Sequence, residues 1–368
     1  MSDTTLWVGL DVHKESVTAA VLDGQATRAE VVRLPGDLQK IRRFFRRLAS
    51  RGHIRACYEA SGAGYVLQRR LTEDGFLCDV IAPSLIPRKP GDRRKTDRLD
   101  AISLAELYRG GHLTVVRVPD DEQEEIRTLI RLRVAHTREV KRVKHRIHAM
   151  LLYQGHHFSG TKSYWTKAHR QWLQKLRGEV DGIFAVCLST ELEHLEYEEQ
   201  QVAGLDREIE KLSRCEPYRP VVEALMCLRG VKTLTAMSLV AEIGDIRRFQ
   251  SPRQLMSWTG LVSSERSSGD VQRRGPITKA GNSHVRRLLV EAAWNNHHRA
   301  GATLILKRRR QGQPPDVVAI ALKAQARLSK RFNTLRDRKH TNVAAAAVAR
   351  ELCGFVWAIM KAAPQPQG

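Results

Sequence analysis

Four carboxylates stand where a lone acid would be costly. Asp11 closes the apolar run in "VGLDVHKES", Glu59 closes the one in "CYEASGAGY", and "KTDRLDA" sets Asp97 and Asp100 three residues apart. A carboxylate at the end of a buried strand loses hydration unless a cation meets it, and residues three apart on a helix share a face. Two strand ends and one helical face can therefore converge on a single spot. Hard oxygen donors in that number suit Mg2+ (or Mn2+), and holding two such ions against their mutual repulsion is what metal-assisted phosphodiester cleavage requires. Each acid also has a plainer reading: Asp11 as the cap of a hairpin turn, Asp97 as a helix N-cap with Asp100 in the first turn. Taken singly, those readings stand as well as the catalytic one; taken together, the four acids favour a metal site.

The elements that must position these acids are readable in outline. Apolar, β-branched runs at 6–10, 17–22, 31–34, 54–58 and 77–81 predict five strands, with helical periodicity between the later ones. The order β-β-β-α-β-α-β-α belongs to a ribonuclease-H-like α/β layer rather than to a Rossmann unit, whose strands alternate with helices from the start. No glycine-rich dinucleotide loop follows the first strand. From about Asp120 the pattern turns helical. Eight basic residues (Arg127, Arg131, Arg133, Arg138, Lys141, Arg142, Lys144, Arg146) face one acid, Glu139, between positions 127 and 146. Such a run can be a solvated helical face, but a face of one sign is better explained by phosphate contacts, with Arg131, Arg138, Lys141 and Arg142 as candidates. Helices are also expected over 191–214 and 221–228, and an Ala-rich one over 343–360. The expected domains are 1–119, an α/β nuclease-like domain; 120–215, a basic helical or coiled-coil region; and 216–362, a mainly α domain. A disordered tail is expected at 363–368.

The chain has 368 residues, with 62 Lys plus Arg against 40 Asp plus Glu. The resulting charge of +22 and pI near 10.2 predict a polyanionic partner, nucleic acid before membrane. No apolar run approaches the roughly 20 residues a membrane span needs, and the N-terminus lacks the basic-then-apolar pattern of a signal peptide. Six scattered cysteines without paired spacing argue against zinc and disulfides. The expectation is a cytoplasmic protein with no membrane association.

The quartet Asp11, Glu59, Asp97 and Asp100, with the phrases quoted above, resembles the RuvC-like DEDD nuclease domain of a family of bacterial insertion-sequence transposases, the bridge-RNA-guided serine recombinases. Later phrases, "LRGVKTLTA", "SWTGLVSSERSSGDVQRRG" and "ITKAGNSHVRRLLVEAAW", resemble that family's second region, so the likeness covers nearly the whole chain. Within it, "CLRGVKTLTAMSLVAEIG" is similar to a helix-hairpin-helix, whose turn amides bind phosphate. Lys232 replaces the usual second turn glycine, and a packing hairpin is the equal alternative.

The Ser/Gly-rich loop after Leu261 carries Arg266, Arg273 and Arg274. It offers what a serine nucleophile attacking phosphorus needs: exposure, a pliant backbone and nearby cations. Its composition also fits a plain surface loop, and it leaves Ser264, Ser267 and Ser268 open. Ser268, before Gly269, is the residue the resemblance selects as the catalytic serine. After it, a helix is expected to start behind Gly281 and Asn282 with Ser283 as cap. Arg286 and Arg287 would then sit against the helix dipole, unfavourable unless an anion binds there. With Lys279, Arg273 and Arg274 they complete the candidate phosphate contacts.

The resemblance implies an enzyme that cleaves and rejoins DNA at element ends and target. It also implies a guide (bridge) RNA, a homo-oligomer of two to four chains and a covalent serine–DNA intermediate. The alternatives are a Holliday-junction-resolvase-like nuclease, which leaves the serine region unexplained, and a non-enzymatic nucleic-acid-binding protein whose acids only cap elements. A sugar-kinase-like ATPase lacks its glycine-rich phosphate turn.

Overall fold

The computed structural model describes residues 4–24, 26–87, 96–266, 272–301 and 303–363. The chain divides into two compact units, up to Pro119 and from Asp120 onward.

The first unit is built on a six-stranded sheet. Its strands are β1 (Thr5–Val12), β2 (Ser16–Asp23), β3 (Glu30–Pro35), β4 (His53–Glu59), β5 (Leu77–Ile81) and the short β6 (Val115–Val116), in the order β3-β2-β1-β4-β5-β6. β1, β2 and β3 pair antiparallel. β4 runs parallel to β1, and β5 parallel to β4. That arrangement is the one expected of a ribonuclease-H-like layer, and all five strands predicted from the sequence are present. β6, two residues long, was too short to leave a pattern.

The strands read as nearly continuous apolar runs because both sheet faces are covered. On one face, α1 (Leu38–Leu48) and α2 (Val66–Glu73) bury Ile41, Phe45, Leu48, Leu67 and Leu71 against Leu6, Val8, Leu10 and Tyr58. On the other lies α3 (Asp97–Arg109), which brings the small residues Ala101 and Ala105 close to β1. Gly9 makes that approach possible. A Cβ at Gly9 would sit 2.2 Å from the Ala101 carbonyl oxygen and 2.5 Å from the Ala105 nitrogen.

The second unit opens with α4 (Asp121–Tyr153), capped by the Asp120 side chain on the Gln123 N–H. At 1.5 Å per residue it is about 50 Å long. It packs antiparallel on α6 (Gly182–Ser213), with α5 (Lys167–Glu179) beside them over Val143, Ile147, Leu151, Leu173, Leu188 and Leu192. Then come α7 (Arg219–Leu225), α8 (Thr233–Ile243), α9 (Pro252–Trp258), a hairpin of β7 (Ser263–Glu265) and β8 (Arg274–Ile277), α10 (Ser283–Trp294), α11 (Leu304–Arg310), α12 (Pro315–Arg336) and α13 (Thr341–Ala362). Their core includes Ile126, Ile130 and Ile209 of the two long helices together with residues 221 to 363. Across the boundary expected at 215/216, therefore, the helices share one core. α13 is long and apolar enough to cross a membrane, but Ala345, Val348, Ala349, Leu352, Val356 and Ile359 are wholly buried in that core.

Candidate active site

The register of β1 and β4 sets two of the acids side by side. Gly9 pairs with Cys57 and Leu10 with Tyr58, so Asp11 and Glu59 are the next residues at the parallel strands' C-terminal ends. Side chains alternate across a sheet. Gly9 faces α3, and the Cys57 thiol lies 3.8 Å from the Leu104 carbonyl of α3. Asp11 and Glu59, each two residues on, therefore belong to the α3 face. α3 starts at that same end of the sheet: its Ala101 and Ala105 meet Gly9, while Arg109 at its far end donates to the carbonyls of Gly24 and Ala26. Asp97 and Asp100 occupy its first turn.

The cap of α3 is Thr96, whose hydroxyl accepts from the Leu99 N–H. That corrects the alternative reading of Asp97 as the N-cap and frees its carboxylate for another task. Asp11 is one-fifth exposed and Asp97 about half. Burial raises the Asp11 pKa above the ordinary carboxylate value, against the opposing influence of His13; the charges of Asp97 and Asp100 push it up further. The acids thus repel one another, and a cation among them would relieve that repulsion. His13, in the β1–β2 turn, already reaches in. Its Nε2 lies 3.2 Å from Asp11 Oδ2 and 3.7 Å from Asp97 Oδ1. The ligand atoms of Asp11, His13 and Asp97 all lie within 4.8 Å of one another. Asp100 borders this trio through its charge, and Glu59 stands exposed at the adjacent strand end. Sequence reasoning passed over His13; the signal was its place two residues after the strand-end acid. A donor set of clustered carboxylates fits a divalent metal.

In the second unit the basic face of α4 is largely paired. Arg131 grips Glu242 of α8 with two hydrogen bonds of 2.9 and 3.0 Å. Arg133 pairs with Asp206, Lys144 with Glu199, Arg142 with Glu139, and Arg146 with Glu139 and Glu191. Most partners lie on α6, remote in sequence, which is why the stretch reads as one-signed. Among the described residues, Arg138 and Lys141 are exposed and make no ion pair. Arg131 and Arg138 line a cleft of about 400 Å³ with Gly281, Asn282, Ser283 and His284 at the start of α10.

That helix is capped by Asn282, whose side chain accepts from the Val285 N–H, and Ser283 is its first residue rather than the expected cap. Asn282 also donates to Glu242, whose carboxyl is 1 % exposed. Burial raises the Glu242 pKa, but Arg131 and Asn282 outweigh it and hold the group below its ordinary value. Arg286 donates to the carbonyls of Thr259 and Ala280. Arg287 pairs with Glu291 one turn on. Arg273 and Arg274 are exposed on the β7–β8 hairpin, and Lys279 is an exposed residue with a left-handed φ of 56°. Gly230 turns with φ 83° directly against α10, where a Cβ would meet the Ala292 carbonyl at 2.3 Å, as in a packing hairpin. Ser268 and its neighbour Ser267 lie outside the described residues.

Comparison with known proteins matches both regions. A DEDD transposase model of the IS110 type covers residues 8–154, and the model described as "Transposase IS116/IS110/IS902 family" covers residues 222–305. The chain is 40% identical to putative transposase y4qE of Sinorhizobium fredii, over 98% of this chain and 89% of that protein. It is 33% identical to the transposase for insertion sequence element IS1533 of Leptospira borgpetersenii, over 91% and 97%. A weaker likeness, 26% over 55% of this chain and 53% of the other, is to the pilin gene-inverting protein of Moraxella lacunata.

Proposed function

From the premise that the chain belongs to the IS116/IS110/IS902 transposase family, and so cuts and rejoins DNA, we propose a division of labour. Asp11, Glu59, Asp97 and Asp100 hold Mg2+ or Mn2+ beside the scissile phosphate, and Ser268 is the nucleophile. The observation that carries the first half is convergence: two strand-end acids and the first turn of α3 belong to one face of the sheet, with Asp11 pushed up by burial and further by the charges of Asp97 and Asp100. Bound cations would supply stabilisation of the charge developing on the phosphate. The chain's own residues fix where that happens, since Gly9, Ala101 and Ala105 set the depth of α3.

The second half rests on the resemblance around Ser268. Its Oγ would bond to phosphorus as the phosphorus–oxygen bond to the departing strand breaks, the hydroxyl proton ending on that strand's oxygen. The number of phosphoester bonds is unchanged, so rejoining needs no outside energy. The likeness to a gene-inverting protein supports such conservation, because inversion requires rejoining. A guide RNA and an oligomer of two to four chains complete the proposal, with Arg138, Lys141, Arg273, Arg274 and Lys279 as the exposed cations on the nucleic-acid side. Denaturing the protein after incubation with guide RNA, cognate DNA and Mg2+ should yield a detergent-stable protein–DNA conjugate, lost in Ser268→Ala. A conjugate that persists in Ser268→Ala, or that Ser267→Ala abolishes instead, refutes the assignment.

A further inference from the structure

His13 sits where a ligand would, not merely where a counter-ion would. The β1–β2 turn is closed by the backbone, His13 N–H donating to the Ser16 carbonyl at 2.9 Å, so the ring is held over the end of β1. Its Nε2 is 3.2 Å from Asp11 Oδ2 and 3.7 Å from Asp97 Oδ1, the three ligand atoms coming from three separate places: a strand end, a turn and a helix start. An octahedral ion about 2.1 Å from its ligands separates adjacent donors by about 3.0 Å and opposite ones by about 4.2 Å. The two spacings from His13, 3.2 and 3.7 Å, fall in that range. The ring is 57% exposed, open to an entering ion.

We propose that His13 is a nitrogen ligand to the cation held by Asp11 and Asp97, making that site a mixed nitrogen–oxygen one. The proposal rests on the metal reading above and adds to it a preference. Carboxylates alone suit Mg2+, whereas an imidazole nitrogen favours a first-row transition ion over Mg2+. The site should therefore take Mn2+ in preference to Mg2+.

The test uses full-length protein loaded with substoichiometric Mn2+ and examined by pulsed electron paramagnetic resonance. The expected result is a directly coordinated ¹⁴N coupling in the wild type, absent in His13→Gln. Titration should show His13→Gln weakening Mn2+ by about tenfold or more, since even outer-shell losses cost that much, with a smaller change for Mg2+. Mn2+ bound with no ¹⁴N coupling, or an unchanged Mn2+-to-Mg2+ preference in His13→Gln, overturns the ligand assignment and leaves the carboxylate reading standing. Mn2+ that binds equally well in wild type and Asp11→Asn overturns both. Circular dichroism of His13→Gln, a change at an exposed turn, confirms that the variant compared is folded.

Discussion

Gly9→Ala isolates the packing that positions the acids. The added methyl would lie 2.2 Å from the Ala101 oxygen and 2.5 Å from the Ala105 nitrogen, both backbone atoms of α3. No rotamer can relieve a clash with backbone, so α3 must move off the sheet by about 1 Å to restore ordinary contact. Overpacking of this kind costs about 1–3 kcal/mol. The larger effect falls on chemistry, because Asp97 lies four residues before Ala101 on the displaced helix while Asp11 stays on β1. A misplacement of about 1 Å in a reacting assembly costs about 10²-fold in rate. Strand cleavage with Mg2+, measured alongside urea unfolding, separates the two. Leu71→Ala is the control: it opens a cavity on the opposite face, under α2. It should cost about 2–5 kcal/mol yet leave folded protein cleaving normally. Gly9→Ala protein that is folded and cleaves at the wild-type rate would refute the argument.

Three further outcomes are expected. Arg131→Met should destabilise the second unit by about 3–5 kcal/mol because it strands Glu242, 1 % exposed. Glu242→Gln should cost less, since the Arg131 left behind is 59 % exposed and can hydrate; equal losses in urea unfolding would contradict this. Hydrogen bonds from Arg42, then from Arg46, hold the Asp74 carboxyl well below the usual carboxylate range, so its contribution to stability is complete at neutral pH. As pH falls below the ordinary aspartate value that contribution is lost; Asp74→Asn should remove this part of the acid-side decline in melting temperature, and an unchanged profile would contradict it. Affinity for duplex DNA should fall with salt, and Arg138→Ala or Lys141→Ala should each flatten the log–log slope by about 0.9. Arg146→Ala, already tied to Glu139 and Glu191, should leave the slope nearly unchanged, and the reverse pattern would place the DNA elsewhere.

The sheet was legible because strands buried on both faces carry apolar runs, and Asp11 and Glu59 stood out at the ends of two of them, with Asp97 and Asp100 marked by their spacing instead. Their convergence was an inference from order alone; in space Asp97 comes to Asp11 together with His13, and the register sets Glu59 at the adjacent strand end. His13 escaped notice because a single histidine in a charged turn has no periodic signature. The ion pairs of the basic stretch of α4 were hidden for a different reason. Its partners, Glu191, Glu199, Asp206 and Glu242, lie 45 or more residues away and become neighbours only through the antiparallel packing of α6 and the docking of α8. Arg286 shows the same limit, the carbonyls of Thr259 and Ala280 that it meets at the helix start being invisible in the local sequence.

The central claim is that the acids gathered at the ends of β1 and β4 and the start of α3 are the metal-dependent cutting site. Asp97→Asn tests it most directly, because Asp97 is about half exposed, caps nothing, and differs from asparagine by one charge-bearing atom. With guide RNA, element-end DNA and Mg2+, the folded variant should bind DNA as the wild type does and cut no strand. Cleavage by Asp97→Asn at the wild-type rate would contradict the account.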